Sequence, residues 1–409
     1  MKALAGGTAV MSTMVAGCLG DEDDDVIRIG DLSPRSGPNV IYGNPMHSAA
    51  EMAVEEMNDN GGLLGREVEL IDPDPQSDVE VYQDQARRLI LEDQVDVLMG
   101  GVTSASREAM RPTISENQQL YFYPALYEGG VCDEYIYLTG PVPDQQLLPL
   151  VEYMVDEFGG DVYTIAADYN FGQISAEWTR RYVEDFGGEI LDEEFIPLGV
   201  SDHGSTINRI SDADPDWIMS LIVGENHVPF YSQAESAGLR KPMASTVSIG
   251  AAYEHITVEP SALENMHTAW NYMEELPGEE NEEFVSRFRD QYPDTEYINQ
   301  HSFSHYTSYK LYEWAVEEAG TVEMEEVGNA LEEGAPTLST AAGELTLDPA
   351  THHLNHNIHL SRVEEDHSLT FLDTTGNVET EYLQERCDLV NDSSWDDPIS
   401  EFFTPIDED

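Results

Sequence analysis

Apolar and polar residues alternate along the chain with two different periods, and this alternation predicts its secondary structure. Residues 26–32 alternate as a half-buried strand does, whereas residues 46–57 carry apolar side chains at helical spacing. Strand and helix patterns then continue to alternate through residues 68–123. Such a chain forms a parallel sheet with helices on both of its faces. The pattern therefore predicts an α/β fold.

A second alternating series begins near Gln145 and predicts a second lobe. Three long helical patterns follow it, and we assign them to the first lobe because they need a sheet to pack on. The strand-like residues after Pro336 are assigned to the second lobe. The prediction is two doubly wound lobes, with residues 26–143 and 274–335 in lobe 1 and residues 144–273 and 336–388 in lobe 2. The polar and acidic residues 389–409 are predicted to be a loose tail.

The N-terminal residues have the pattern of a lipoprotein export signal. A short stretch of small, mildly apolar residues ends in residues 15–18 (VAGC), which resemble a lipobox whose Cys18 becomes the lipidated first residue. A membrane span needs roughly 20 apolar residues, more than this stretch has. We therefore expect a signal at residues 1–18, an acidic tether at residues 19–25, and attachment to the outer face of the cell membrane by the lipid alone. The alternative is a helix of small residues with a buried cysteine.

The charge balance is strongly acidic, with 81 Asp and Glu against 18 Lys and Arg and a formal net charge of −63. Such a surface repels nucleic acid and anionic lipid headgroups. The charge is spread between apolar segments, and 40% of the residues are hydrophobic, so we expect a folded chain instead of an acidic disordered tail. Molar salt shortens the Debye length to roughly 3 Å and relieves the self-repulsion. The composition therefore indicates the protein of a halophile.

Two cysteines remain once Cys18 is lipidated. Cys132 and Cys387 form an even pair in a chain bound for an oxidising exterior, which suggests a disulfide. Two separate buried thiols are the alternative, and the sequence leaves both open.

Several motifs in order along the chain resemble the branched-chain amino acid and amide group of type I periplasmic-binding proteins, in particular its urea and short-chain amide subgroup. The motifs are residues 58–68 (NDNGGLLGREV), 103–107 (TSASR), 121–129 (YFYPALYEG), 168–171 (DYNF), 196–199 (IPLG), 269–272 (AWNY) and 348–353 (DPATHH). The resemblance covers residues 26 to about 363. It implies two Rossmann-like lobes, hinge crossovers between them, and a ligand in the cleft.

The candidate ligand contacts follow predicted strands, which is where open α/β sheets bind ligands. Ser104 follows one strand and begins a helix, and aromatic residues follow two others. A planar amide needs hydrogen-bonding groups in its plane and flat groups on its faces. The candidates are Ser104, Tyr123, Tyr127, Tyr169 and Phe171 from these positions, with Ala125 through its backbone and Ser248 by resemblance alone. The same residues also fit plain structural roles, as an N-cap serine and as core aromatics.

The resemblance implies an extracellular solute-binding lipoprotein that captures urea or a short-chain amide and delivers it to the membrane permease of an ABC transporter. No catalytic residue, cofactor or metal is expected. Val102 stands where many urea-binding relatives carry Trp, and residues 250–253 replace residues that are often acidic, so the exact amide stays open. The alternatives are a branched-chain amino acid carrier of the same fold and an amide sensor that controls a regulator.

A metal enzyme is a further alternative, because four histidines cluster near the C-terminus. They are His352, His353, His356 and His359. Pro349 and the apolar alternation around Ile358 favour a strand, which places His356 and His359 on opposite faces. The sequence also has no nucleophile elbow, phosphate loop or paired Cys-x-x-Cys motif.

Overall fold

The structure, a computed structural model, describes residues 26–251, 253–384 and 387–391. The predicted signal, the lipidated Cys18, the acidic tether and residues 392–409 of the predicted tail lie outside the described residues.

Strands and helices alternate through most of the chain, as the hydrophobic pattern predicts. The strands are β1 Val26–Leu32, β2 Glu67–Ile71, β3 Val97–Gly100, β4 Tyr121–Tyr123, β5 Ile136–Leu138, β6 Asp161–Ala167, β7 Glu189–Ile196, β8 Trp217–Leu221, β9 Met243–Ala244, β10 Met266–Trp270, β11 Thr337–Thr340, β12 Gly343–Asp348, β13 His353–Val363 and β14 Leu369–Val378. The helices are α1 Val40–Asp59, α2 Val79–Leu91, α3 Ser104–Glu116, α4 Pro143–Phe158, α5 Asn170–Asp185, α6 Gly204–Ala213, α7 His227–Ala237, α8 Glu254–Thr257, α9 Pro260–Leu263, α10 Glu279–Gln291, α11 Gln300–Ala319, α12 Met324–Gly334 and α13 Glu381–Gln384.

The strands form one mixed sheet whose two halves correspond to two lobes. Its order is β2-β1-β3-β4-β5 in the first half, then β13, then β10-β9-β8-β6-β7 in the second. The pairs within each half are parallel, and β13 runs antiparallel to β10. Parallel strands with helices between them confirm the predicted α/β fold.

Helices cover both faces of each half of the sheet. In lobe 1, α1 and α11 pack on one face, and α2 and α3 pack on the other. In lobe 2, α4 and α5 lie on one face, and α6 and α7 lie on the other. Each face is filled by apolar side chains that the helical and strand periods place inward, which is why the parallel strands read as almost continuous apolar runs.

The strand β13 joins the two halves, and the segment before it differs from the predicted lobe boundary. Residues 336–388 were predicted to belong to lobe 2. In the structure β11 and β12 form a hairpin whose Leu345 and Leu347 are buried in the lobe 1 core with α1 and α11. His353 pairs with β5 of lobe 1, and only the later part of β13 pairs with β10 of lobe 2. Strand periodicity indicates that residues form a strand, but it does not say which sheet they join.

A disulfide joins Cys132, in the loop after β4, to Cys387 near the C-terminal end of the described chain. Both cysteines are buried and pack with Leu389, whose N–H donates to the carbonyl of Ala350. Cys387 and Leu389 therefore pack on the fold, which differs from the loose tail predicted to start at residue 389. Within the described residues no helix is both long and apolar enough to cross a membrane.

Candidate functional site

A small cavity lies between the two lobes. The volume open to the centre of a water molecule is about 30 Å³. Its lining residues are Asn39, Tyr42, Val102, Thr103, Ser104, Leu126 and His301 from lobe 1, and Tyr169, Phe171, Val223, Val247 and Ala251 from lobe 2.

The cavity lies at the carboxyl ends of the parallel strands, as expected for a doubly wound sheet. Ser104 comes shortly after β3, Tyr169 and Phe171 come after β6, and Val223 comes after β8. Because parallel strands end at the same edge of a sheet, residues far apart in sequence meet there.

The described side chains of the lining include hydrogen-bonding groups but no charged group. Burial lowers the pKa of His301 to about 3, so its imidazole is neutral at neutral pH. Burial also raises the pKa values of Tyr42 and Tyr169, so both phenols keep their protons. The Tyr42 and His301 rings lie 4.8 Å apart, centroid to centroid. A ligand in this site would therefore contact aromatic faces and neutral polar groups.

Ser104, a predicted ligand contact, lines the cavity, and its hydroxyl is already in use as a donor. Its Oγ donates to the carboxylate of Glu128. Ser104 is the first residue of α3, and the N-cap Thr103 accepts from the N–H of Ser106. The first N–H groups of a helix have no partner within the helix. A ligand carbonyl can therefore bind the backbone N–H groups at this helix start, while Ser104 Oγ can accept from a ligand N–H.

Tyr123 and Tyr127 do not line the cavity, although Tyr169 and Phe171 do. The Tyr123 hydroxyl donates to the carbonyl of Val102 at 2.9 Å, and the Tyr127 hydroxyl lies 2.6 Å from His353 Nε2. Both rings instead pack against the buried guanidinium of Arg107, with centroids 4.9 and 4.4 Å from its central carbon. Of the four aromatic candidates, Tyr169 and Phe171 of lobe 2 therefore line the cavity, and Tyr123 and Tyr127 lie behind the lining.

Ala125 and Ser248 also lie behind the lining. Ala125 is buried beside Leu126, which does reach the cavity. Ser248 Oγ is hydrogen-bonded to the hydroxyls of Tyr231 and Ser245 within lobe 2, whereas its neighbour Val247 lines the cavity.

The sequence predicted no role for Asn39, Tyr42, His301 or Glu128. It predicted that α1 starts at residue 46, whereas the helix starts at Val40 and contains Pro45 in its second turn. The position after β1 was a usable signal for Asn39 and Tyr42, because every strand of a parallel sheet ends at the same edge. His301, at the start of α11, has no comparable signal, since tertiary packing alone brings α11 to the cleft.

The lobes are in direct contact around the cavity. The hydroxyl of Tyr42 accepts a hydrogen bond from the N–H of Gly224 at 3.2 Å. The Glu128 carboxylate accepts from Asn170 Nδ2 at 3.3 Å, and the Glu128 carbonyl accepts from Trp178 Nε1 at 3.0 Å. Each of these bonds joins a residue of lobe 1 to a residue of lobe 2, so the structure has the lobes closed over the cavity.

Ionisable groups are also buried away from the cavity. Asp31 contacts His305 at 2.5 Å and accepts from the Tyr309 hydroxyl at 3.0 Å. Burial by itself would raise the pKa of Asp31, but the contact with His305 and the hydrogen bonds hold it at about 2. Burial lowers the histidine pKa to about 4 or about 3 at five positions, which we call the buried histidines: His267, His301, His353, His356 and His359.

The four histidines considered as metal ligands lie in or next to β13, which is a strand as predicted. The imidazole of His352 stacks on Tyr137 with centroids 4.2 Å apart, and His353 contacts Tyr127. Within the described residues no group of three or more His, Cys, Asp or Glu side chains is placed to hold a metal ion.

Comparison with known proteins gives one consistent family. The family model described as periplasmic binding protein matches residues 26–368. The chain is 24% identical over 351 residues to a protein of Brucella melitensis named Leu/Ile/Val-binding protein homolog 1, and the match covers 85% of this chain and 92% of that protein.

Solved structures share the fold at lower identity. A solute-binding protein of an ABC transporter from Rhodopseudomonas palustris, in complex with 3,4-dihydroxybenzoic acid, superposes with a TM-score of 0.78 at 20% identity, over 87% of this chain and 98% of that one. A branched-chain amino acid transporter substrate-binding protein from Streptococcus pneumoniae, in complex with isoleucine, gives 0.76 at 18% identity, over 86% and 99%.

Proposed function

Because the chain belongs to the periplasmic binding protein family, we propose that it captures a small uncharged amide, urea before others, between its two lobes and delivers it to the permease of an ABC importer. The observation that carries this proposal is the cavity itself, in whose lining none of the described side chains is charged. We propose that the protein binds this ligand and does not convert it.

The neutral polar groups of the lining match the groups of an amide. Urea has N–H donors on both nitrogens and one carbonyl acceptor. Ser104 Oγ can accept an N–H because its own proton goes to Glu128, and the start of α3 can donate to the carbonyl. Tyr169 and Phe171 from lobe 2 and Tyr42 from lobe 1 supply flat apolar faces. Since both lobes contribute, binding favours lobe closure.

A branched-chain amino acid carrier is the second candidate, because the curated relative named above is a Leu/Ile/Val-binding protein homologue. Such a ligand carries an ammonium group and a carboxylate, and a buried charge needs a partner. Among the side chains that the structure describes, no carboxylate lines the cavity.

The proposal places the protein outside the cell membrane. It includes lipid attachment at Cys18, supported by the lipobox pattern, and a saline environment, supported by the net charge of −63. An exported anchor argues against the alternative of an amide sensor that controls an internal regulator.

Calorimetric titration in molar salt tests the ligand class. Urea, formamide and acetamide are titrated first, then leucine and benzoate. We expect saturable heat from at least one amide and none from leucine or benzoate. Binding of leucine with no binding of any amide would refute the amide proposal in favour of the second candidate.

A matched pair of variants ties that binding to the cavity. Val223→Phe places a larger side chain in the cavity, whereas Val228→Phe makes the same change at a site in lobe 2 that is 46% exposed and outside the lining. We expect Val223→Phe to abolish amide binding and Val228→Phe to preserve it. Equal affinity in Val223→Phe and the parent would show that the ligand binds elsewhere.

A further inference from the structure

Glu128 is a buried carboxylate directly behind the cavity. It lies in the loop after β4, is 1% exposed, and is not part of the lining. Its carboxylate accepts from Ser104 Oγ, from Arg107 Nη2 at 3.4 Å and from Asn170 Nδ2 at 3.3 Å. One carboxylate thus connects a cavity residue, a buried cation and the opposite lobe.

Arg107 explains why a carboxylate can be charged at this depth. The guanidinium is fully buried and contacts two carboxylates, those of Glu108 and Glu128. Burial alone would lower the pKa of Arg107, but the two carboxylates raise it, so the guanidinium stays charged. A buried guanidinium without counter-charge is costly, and it therefore favours the ionised form of Glu128. Burial has the opposite effect and raises the pKa of Glu128.

An ionised Glu128 decides how Ser104 can be used. A serine hydroxyl has a single proton and two lone pairs, and an ionised carboxylate can only accept. The Ser104 proton therefore points at Glu128, and only lone pairs of Ser104 Oγ remain for the cavity. A ligand N–H meets an acceptor there. A ligand carboxylate oxygen meets another acceptor, with a negative charge behind it.

We propose that Glu128 sets the ligand class of this site, because it holds Ser104 Oγ as an acceptor and so selects an N–H group over a carboxylate. This inference deepens the proposed function and rests on it. Glu128 is a positioning residue, since it acts through Ser104 and does not line the cavity.

The opposite lobe makes this selection a property of the closed state. Asn170 and Trp178, both on α5, donate to the side chain and to the carbonyl of Glu128. Opening the cleft breaks both bonds, whereas the bonds from Ser104 and Arg107 to Glu128 lie within lobe 1. The closed state therefore adds lobe 2 donors to a carboxylate that lobe 1 already holds, and it does so when discrimination has its effect on affinity.

Acetamide and acetate test the inference, because they have the same shape and differ in an NH₂ group against a carboxylate oxygen. Their affinities are measured by calorimetry in molar salt for the parent, Glu128→Gln and Glu108→Gln. Glutamine has no charge, and its amide can donate to Ser104 Oγ, which turns the hydroxyl proton toward the ligand. Glu108→Gln removes the other carboxylate on Arg107 without touching Ser104, and it is the matched control.

We expect the parent to prefer acetamide by at least about tenfold, since stranding a buried hydrogen-bonding group has a cost of that order. Glu128→Gln should reduce this preference by about tenfold and should raise the affinity for acetate itself. Glu108→Gln should keep the preference. An unchanged preference in Glu128→Gln, or an equal change in Glu108→Gln, would overturn the inference.

A double-mutant cycle with Ser104→Ala separates positioning from structural support. If Glu128 acts through the hydroxyl, Ser104→Ala alone should remove the preference, and adding Glu128→Gln should change it no further. A full preference in Ser104→Ala would overturn the inference even if Glu128→Gln failed to fold. If the parent binds no amide, the proposed function fails, and the inference then requires that acetate binding appear in Glu128→Gln. Its absence there would overturn the inference as well.

Discussion

The contact between Tyr42 and Gly224 allows a direct test of lobe closure. Tyr42 lies near the start of α1 in lobe 1, is 2% exposed, and lines the cavity. Its hydroxyl accepts the N–H of Gly224, which follows β8 in lobe 2, at 3.2 Å. Tyr42→Phe removes this bond and keeps the aromatic ring. The open state is hardly affected, because water can hydrate the Gly224 N–H there.

The size of the effect follows from the loss of one neutral hydrogen bond. Such a bond contributes about 0.5–1.5 kcal/mol, which corresponds to a roughly two- to tenfold change in an equilibrium constant. The ring keeps its apolar contacts, so no cavity term is added. If the closed state excludes water from Gly224, the stranded N–H raises the loss to about 1–3 kcal/mol. The missing bond disfavours the closed state whichever ligand is bound, so the affinity for every ligand should fall by the same factor.

Calorimetry with urea, formamide and acetamide measures this factor, and small-angle scattering follows compaction on binding. Tyr306→Phe is the matched control, because the Tyr306 hydroxyl donates to Glu56 at 2.5 Å within lobe 1 and away from the cavity. We expect a uniform two- to tenfold loss of affinity in Tyr42→Phe and parental affinity in Tyr306→Phe.

Two results would refute the reasoning. Parental affinity in Tyr42→Phe would mean that the bond to Gly224 does not favour closure. A loss confined to one amide would mean that the hydroxyl contacts that ligand directly instead of acting through the lobes.

Four further predictions concern the site, stability and export. Ser104→Ala should weaken urea binding by roughly three- to tenfold, and Tyr169→Ala should weaken it more because ring area and a cavity wall are lost together; calorimetry showing parental affinity in both would contradict the site. At fixed molar salt the free energy of unfolding should fall as pH drops below 6.5 toward about 4, because the buried histidines stay neutral when folded and bind protons when unfolded. Each of these histidines lowers the folded-to-unfolded ratio by up to about tenfold per pH unit, and a denaturant midpoint that is flat from neutral to acid pH would argue against this. The melting temperature should rise from about 0.1 M salt, where the Debye length is near 10 Å, to several molar, and a flat profile would contradict the role given to surface charge. Mass spectrometry of membrane-derived protein should find a lipid on Cys18, and an intact N-terminal peptide that includes Met1 would exclude the predicted processing.

Local sequence carried enough information to predict the type of most elements. The strand β1 covers the predicted residues 26–32, and the helix α1 includes all of the predicted residues 46–57, because hydrophobic periodicity reports which face of each element is buried. The same reasoning predicted that Ser104, Tyr169 and Phe171 come after strand ends, and all three line the cavity. Parallel strands have their carboxyl ends at one edge of the sheet, so the location of the cavity follows from the strand pattern without knowledge of side-chain packing.

Other features depended on contacts between distant parts of the chain. The hairpin of β11 and β12 has an ordinary strand pattern, and only its packing on α1 and α11 assigns it to lobe 1. Tyr123 was expected to face the ligand, but the position of Arg107 turns its ring into support for a buried guanidinium.

The sequence by itself determined the α/β class, the two-lobed arrangement and the edge of the sheet where the cavity lies, because these follow from local periodicity and chain order. Tertiary structure alone decided which side chains reach that cavity and in which direction their protons point. Tyr42 and His301 are far apart in the chain and meet at 4.8 Å, and Ser104 becomes an acceptor because Glu128 lies behind it. The orientation of a hydroxyl depends on the charge of its neighbours in space, and no local pattern encodes those neighbours.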